Sequence, residues 1–527
     1  MHNRRSFLQV AGAVAAASRL SAPALAQSSR ANTLTYVPPA GLLILDPHFT
    51  TINQTVYYGH YVYETLYAID AKYQARPQMV EGHTVSSDNL TWTIKLRPGL
   101  KFHDGERVRA KDCVASIKRW GKRDAFGVSL LSFADEVIAV DDDNIRFHLK
   151  KPFGILPDAL AHPIASPCVI MPERVASQDI TTQITESIGS GPMRFVRDEF
   201  VPSQRAVFAK NKDYVPRQEA PDHLAGGKIV NFERVEWRTL ADQATAAAAL
   251  QAGEVDWWDS VQPDLVELLK ANSQVTVAES DQYRNWLRFN CGVRPFNNPA
   301  LRRAVAAAVD QTTYTQVLGA GNNPPTCYAM YTCGLPGIDE LGKPLMSGAK
   351  DLKALAAKVK EAGYAGETIV VISATDVVQT HPMSLVAADM MTKLGMKVEV
   401  QSMDINTFVS RRASQAPADQ GGWNMFSFLT SSPILANPLT NIVARGLGPK
   451  GYPGNNDDPT LEAAITDWIE ATSDADRLAR LGKVHMRLWD TTPIVPVASY
   501  SQYTAFRSDL KGYIRSTVPM PWNIKRS

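Results

Sequence analysis

The sequence holds no aspartate or glutamate between Gln420 and Asn456, although 53 of its 527 residues are acidic. Other absences exclude whole classes of function. The five cysteines, Cys113, Cys168, Cys291, Cys327 and Cys333, form no CxxC or CxxCH spacing, so zinc-ribbon, thioredoxin-like and c-type haem readings lose their basis. His60, His83, His103, His148, His162, His223, His381 and His485 include no HxxH or HxxxH pair, which leaves a helical zinc or di-metal site unsupported. No apolar run approaches the ~20 residues of a membrane-spanning helix. A formal net charge of +2 lacks the basic excess that phosphate-backbone binding requires, so nucleic acid is not an expected partner.

What is present starts with a targeting pattern. Asn3-Arg4-Arg5-Ser6-Phe7-Leu8-Gln9 sets an arginine pair before a short apolar run, Val10 to Ala17, and Ala24-Leu25-Ala26 supplies an A-x-A cleavage site. That order of parts predicts a twin-arginine signal over residues 1–26, cleaved near Ala26. Its loss removes three arginines and no acid, and the formal charge falls from +2 to −1. No cysteine follows the cleavage site to carry a lipid, so the mature chain is expected to be free and soluble in the periplasm, without membrane insertion. An oxidising compartment permits a disulfide. Cys327 and Cys333, close in sequence within a Pro/Gly-rich segment, are the expected pair, worth about 2 kcal/mol through restriction of the unfolded chain.

Strands and helices alternate along the chain with short connectors. Thr91–Leu96 reads as a strand, followed by turns at Pro98-Gly99 and Asp104-Gly105 and a helix from Ala110 to Trp120. Asn298 caps a helix that opens on Pro299 and places Leu301, Val305 and Val309 on one face. A helix carrying Leu352, Leu355 and Val359 stops at Gly363. The strand Thr368–Ile372, a helix to Leu394 and the strand Met396–Val400 then compose a βαβ unit with parallel strands. Asp458-Pro459 and Ser473-Asp474 start two more helices, the second reaching Trp489. No Gly/Ser/Pro linker divides the chain, which implies domains that the chain crosses more than once.

The catalytic motifs dissolve on inspection. Gly446-Leu447-Gly448-Pro449-Lys450-Gly451 matches GxGxxG, but Pro449 removes a backbone donor and no strand and helix flank it, so it reads as a loop. Gly189-Ser190-Gly191-Pro192 is not a nucleophile elbow and reads as a turn. Asp141-Asp142-Asp143-Asn144 lacks the glycine and distal glutamate of a calcium loop and reads as a hairpin turn. No enzyme constellation and no cofactor is implied, which leaves binding as the expected class.

Several stretches carry a resemblance. Tyr63-Glu64-Thr65-Leu66-Tyr67, Pro77-Gln78-Met79-Val80-Glu81, the run from Trp92 to Gly105 and Ala110-Lys111-Asp112 come first. Gly189-Ser190-Gly191-Pro192, Leu250 to Asp256, Phe289-Asn290 with Pro295-Phe296, Leu301 to Ala304 and Val309-Asp310 follow in order. Together they resemble the family 5 extracellular solute-binding proteins, the dipeptide, oligopeptide and nickel-complex receptors of ABC importers. The resemblance implies an α/β fold of the class II periplasmic binding protein type, with two main lobes closing on a cleft and an inserted third domain. It divides the mature chain into domain I (27–68, 189–285 and 492–527), domain II (69–188) and domain III (286–491). It implies a monomer that encloses a small-molecule or peptide-like ligand and delivers it to an inner-membrane ABC permease. His103 and Asp104 then become scaffold.

One departure from the family bears on the ligand. In peptide-binding members the segment matching Trp423 to Pro438 carries an aspartate, close before a D-P pair, that holds the peptide's α-ammonium. Here Asn437-Pro438 stands at that pair and no acid is near. The expected ligand therefore lacks a free α-ammonium: a capped or modified peptide, an opine, a sugar, a metal chelate or an anion. Alternatively Asp376 or Asp281 reaches the cleft instead. The residues expected near the ligand are Leu42, Tyr283, Asp376, Trp423, Phe428, Ser431 and Asn437. Competing readings are an exported enzyme with a bound cofactor, and a sensor or chaperone on the same fold.

Overall fold

The computed structural model describes residues 32–240, 242–318, 327–331, 333, 337–431 and 434–527. The expected signal over residues 1–26 lies outside them, as does the side chain of Asp281. Among the described residues no helix is long and apolar enough to cross a membrane.

Ten strands form one mixed sheet. They are β1 (Thr33–Val37), β2 (Met193–Phe195), β3 (Arg205–Lys210), β4 (Arg234–Arg238), β5 (Trp257–Val261), β6 (Val275–Phe289), β7 (Thr368–Ala374), β8 (Lys397–Met403), β9 (Met425–Ser431) and β10 (Ile494–Arg507). Their spatial order is β2-β3-β4-β1-β5-β10-β6-β9-β7-β8. β1 runs parallel to β4 and β5, and β7 parallel to β8 and β9. The βαβ unit read from the sequence is thus present: β7, the helix His381–Lys393 and β8, with Thr368 opposite Lys397. The helix opening on Pro299 ends at Ala307, and its cap Asn298 accepts the Ala300 N–H at 2.9 Å. Val309 lies beyond that helix and is buried all the same.

β6 and β10 join the two halves of the sheet. They pair antiparallel from Val275–Arg507 to Arg288–Ile494, with register shifts between Glu279 and Gln282 and between Asn285 and Trp286. Beside one end of this ribbon lies β5, paired to β10. Beside the other lies β9, paired to β6 from Tyr283–Ser431 to Phe289–Met425. β9 is therefore a central strand between β6 and β7, with all but one of its residues buried. A strand covered on both faces reads as a continuous apolar run. That placement gives part of the acid-free stretch an ordinary cause.

A separate four-stranded antiparallel sheet has the order Val80–Val85, Thr91–Leu96, Asn144–Leu149, Ala134–Ala139. The Asp141 carboxylate accepts the N–H groups of Asp143 and Asn144 at 2.8 Å each, and so closes the hairpin between its last two strands. The helix Ala110–Trp120 contacts this sheet. His103 holds the Gly191 carbonyl through Nε2 at 3.1 Å, a packing role. Gly189 beside it has no room for a side chain, since a Cβ would fall 2.1 Å from the Val62 carbonyl oxygen.

Candidate ligand cavity

A cavity of about 640 Å³ separates two walls of different origin. One wall is the loop His48–Thr51 with Arg123–Phe126 and Ala165-Ser166; the other is Phe428–Thr430, Ile434, Thr440, Ile442, Val443 and Tyr452. The volume is within the range of small-molecule sites.

The first wall is fixed by a buried ion pair. Asp46 accepts Arg119 Nη2 and the Ile184 N–H at 2.9 Å, and the His48 N–H at 3.0 Å. Both charged side chains are inaccessible. Arg119 also donates to the carbonyls of Gln178, Asp179 and Thr182. The loop that carries His48 to Thr51 is therefore tied to the helix Ala110–Trp120. Burial lowers the His48 imidazole to about 4 and the His162 imidazole to about 3, so both rings are neutral at pH 7. Asp124 caps the helix Ala125–Phe133 by accepting the N–H groups of Phe126 and Gly127. Burial pushes its carboxyl up to about 7. Arg123 reaches over the Phe49 ring at 5.0 Å and donates to the Phe49 carbonyl at 3.4 Å. It is exposed, and no described residue forms an ion pair with it.

The second wall is aromatic. Phe428 lies parallel to Trp286, 6.4 Å between centroids, and Trp286 donates to Thr430 Oγ1 at 2.9 Å. Behind Trp286 sits the Arg284 guanidinium, 4.7 Å from the ring. It donates to the carbonyls of Cys327, Ala329 and Tyr331, and burial lowers it to about 10. Cys327 and Cys333 are bonded, with Cα atoms 6.3 Å apart. Tyr452 faces Phe428 at 5.8 Å and holds Arg412 through its hydroxyl. Among the described residues lining the cavity, Arg123 and Asp124 are thus the only charged ones, and the one carboxylate is committed to a helix cap.

The residues expected from sequence are placed as follows. Phe428 lines this cavity. Ser431 ends β9 opposite Tyr283 and is buried. Asn437 uses its Oδ1 to accept the N–H groups of Leu439 and Thr440, and lines a smaller cavity of about 260 Å³. Trp423 is fully buried and donates to the Arg412 carbonyl, so its ring belongs to the core. Leu42 is also core, with its carbonyl taken by the Ser203 N–H. Asp376 is exposed in the turn after β7 and accepts the Ile405 N–H at 3.2 Å; it lines neither cavity. Tyr283 stacks on Tyr500 at 5.6 Å and borders a narrow void with Asp259, whose carboxyl burial raises to about 6. The sequence reading missed His48, Phe49, Arg123, Phe126 and Tyr452. Gly121-Lys122-Arg123-Asp124 carries only the signal of a helix end followed by a cap.

The chain matches known proteins in sequence and in fold. The profile of bacterial extracellular solute-binding proteins, family 5 Middle, matches residues 74–441. A probable peptide ABC transporter periplasmic-binding protein of Sinorhizobium fredii is 34% identical over 527 residues, 98% of each chain. The structure of NikA from Brucella suis in complex with Fe(III)-EDTA superposes with a TM-score of 0.75 at 20% identity, covering 94% of this chain and all of that one. The binding protein AgaA from A. tumefaciens R10, in complex with agropinic acid, superposes with a TM-score of 0.73 at 19% identity over 94% and 99% of the two chains. With its mixed sheet, its inter-wall cavity and this profile match, the chain belongs to the bacterial family 5 extracellular solute-binding proteins.

Proposed function

We propose that the protein is the periplasmic substrate-binding receptor of an ABC importer, and that it encloses a modified peptide, an opine or a similar acidic solute rather than an ordinary dipeptide. The relatives are binding proteins, not enzymes, and the S. fredii protein is described as a probable peptide binder. The observation that carries the finer reading is the charge of the cavity. Arg123 lines it without a carboxylate partner among the described residues, and the wall from Phe428 to Tyr452 has no acid. A carboxylate arriving there gains a charge-assisted bond, whereas an α-ammonium finds no free anion and loses its hydration. AgaA, which shares the fold, was solved with agropinic acid.

In this reading residues 1–26 are a twin-arginine signal; domain I (27–68, 189–285, 492–527), which supplies His48–Thr51, and the inserted domain II (69–188), which supplies Arg123–Phe126 and Ala165-Ser166, face domain III (286–491) across the cavity. The two crossings of the sheet at β6 and β10 support that division. A soluble monomer then docks on its permease. The experiment is a melting series of the purified protein against unmodified dipeptides, N-blocked peptides, opines and metal chelates. A ligand at a hundredfold excess over Kd adds about 2.7 kcal/mol. Acidic, amine-blocked solutes should raise the melting temperature, and Arg123→Gln should remove the response. Strong shifts by unmodified dipeptides in both proteins would reject the reading.

A further inference from the structure

The smaller cavity, about 260 Å³, shares His162 with the larger one. The segment that begins at Phe428 walls both, with Phe428 in the first and Asn437 in the second. Next to its lining residues Ile155 and Trp468, the Gly154 N–H donates to the Ile469 carbonyl at 3.0 Å. A Cβ at Gly154 would fall 1.9 Å from the Ala471 carbonyl oxygen, so the two walls meet there with no side chain between them.

Asp158 lines this chamber from the first turn of the helix Leu156–Ala161. Among the described residues no other residue gives its carboxylate a hydrogen bond or an ion pair. Arg477 and Asp474 line the same chamber, and Arg477 is engaged by the Gly154 carbonyl at 2.8 Å and by Asp474 at 3.3 Å. Burial raises the Asp158 carboxyl and the Arg477 charge only partly offsets it. A partly desolvated carboxylate that receives no hydrogen bond from another described residue is costly, and a cation brought to it forms a charge-assisted bond. The Trp468 indole and the Tyr73 ring also border the space, and aromatic faces favour cations.

We propose that the smaller cavity is a second compartment of the ligand site, in which Asp158 receives an ammonium or guanidinium group at the end of the ligand remote from Arg123. This rests on the receptor reading above. It names the ligand more narrowly: an amine-substituted amino acid with a carboxylate head and a basic tail. It also gives the missing anchor a replacement, supplied from the opposite wall and directed at a side-chain cation rather than an α-ammonium.

The test uses two probes that differ only in the tail, N-acetyl-arginine and N-acetyl-norleucine, titrated calorimetrically into the purified full chain at low ionic strength. The wild-type protein should bind the arginine compound at least tenfold more tightly. Asp158→Asn should bring its affinity down to that of the norleucine compound. Asp158→Ser provides a second variant should the first fold poorly, with far-UV circular dichroism as the check. Equal binding of the two probes, or a preference that survives both substitutions, overturns the inference and spares the receptor reading. So does failure of both probes in a protein whose melting responds to other acidic solutes. Absence of any response to acidic solutes rejects the receptor reading, and this inference with it.

Discussion

Replacing Asp46 should both unfold the protein more easily and loosen the cavity. Its carboxylate is fully buried and bonded to the guanidinium of Arg119, which is 1% exposed, and to the backbone N–H groups of His48 and Ile184. Removing one partner of a buried pair costs about 3–5 kcal/mol, because the other charge stays in a medium that cannot solvate it. Two N–H groups also lose their acceptor, at roughly 1–3 kcal/mol each before relaxation. Arg119 keeps three carbonyl acceptors, which holds the total for Asp46→Ala to about 4–6 kcal/mol. Asp46→Asn retains an acceptor oxygen and should cost roughly half as much. Urea unfolding followed by tryptophan fluorescence measures the loss, and hydrogen exchange over residues 46–52 measures the freed loop. The double variant Asp46→Leu, Arg119→Met should recover much of the loss, since a well-packed apolar pair can replace a buried ion pair. A loss below about 1 kcal/mol for Asp46→Ala would refute the reasoning.

Two further outcomes follow from the same side of the physics. Reduction of Cys327–Cys333, or Cys333→Ser, should cost about 2 kcal/mol and lower the melting temperature, while hydrogen exchange rises over residues 327–331, whose carbonyls hold Arg284; unchanged exchange there would show that the strap is held without the bond. Asp124 has a folded-state pKa raised to about 7 from 3.8, so the native state binds its proton more tightly than the unfolded chain. Stability from this group therefore falls as pH rises from about 4 to 7, by at most ~4 kcal/mol. Asp124→Asn keeps a capping side chain and should gain stability over wild type at pH 8 but not at pH 4. A difference in melting temperature independent of pH would count against the buried carboxyl.

Local patterns carried much of the architecture. Turn chemistry at Asp141–Asn144, the caps at Asn298, Asp458 and Ser473, and the period change across residues 351–403 each describe contacts made within a few residues. The β6–β10 ribbon was not legible, because its pairing joins segments more than two hundred residues apart and nothing in Val275–Phe289 distinguishes a crossing strand from an ordinary one. The acid-free stretch supplies one wall of the larger cavity, and it lacks charge for a mixed reason: β9 excludes charge by lying in the centre of a sheet, while Ile434, Ile442, Val443 and Tyr452 face the cavity. The opposite wall escaped because its polar residues double as local signals. Asp124 reads as a helix cap, and Asp158 reads as the usual first-turn acid behind Pro157. Position along the chain puts Trp423, Leu42 and Asp376 beside the expected ligand, whereas the fold packs the first two into the core and leaves Asp376 exposed.

The antiparallel ribbon of β6 and β10 has a mechanical consequence. Two hydrogen-bonded strands side by side resist bending within the sheet plane and yield to twist, most easily where the ladder is already broken, near Glu279–Gln282 and Asn285-Trp286. On the proposed receptor reading, a swing of one half of the molecule against the other would turn about this ribbon, as something close to a single rotation. Capture of a solute then requires no search through many relative orientations, and the selectivity of the receptor is left to the walls themselves. For an engineer, a donor and an acceptor dye placed on either side of that ribbon would report one angle rather than a blur of distances, which would make the protein a direct gauge of its own ligand.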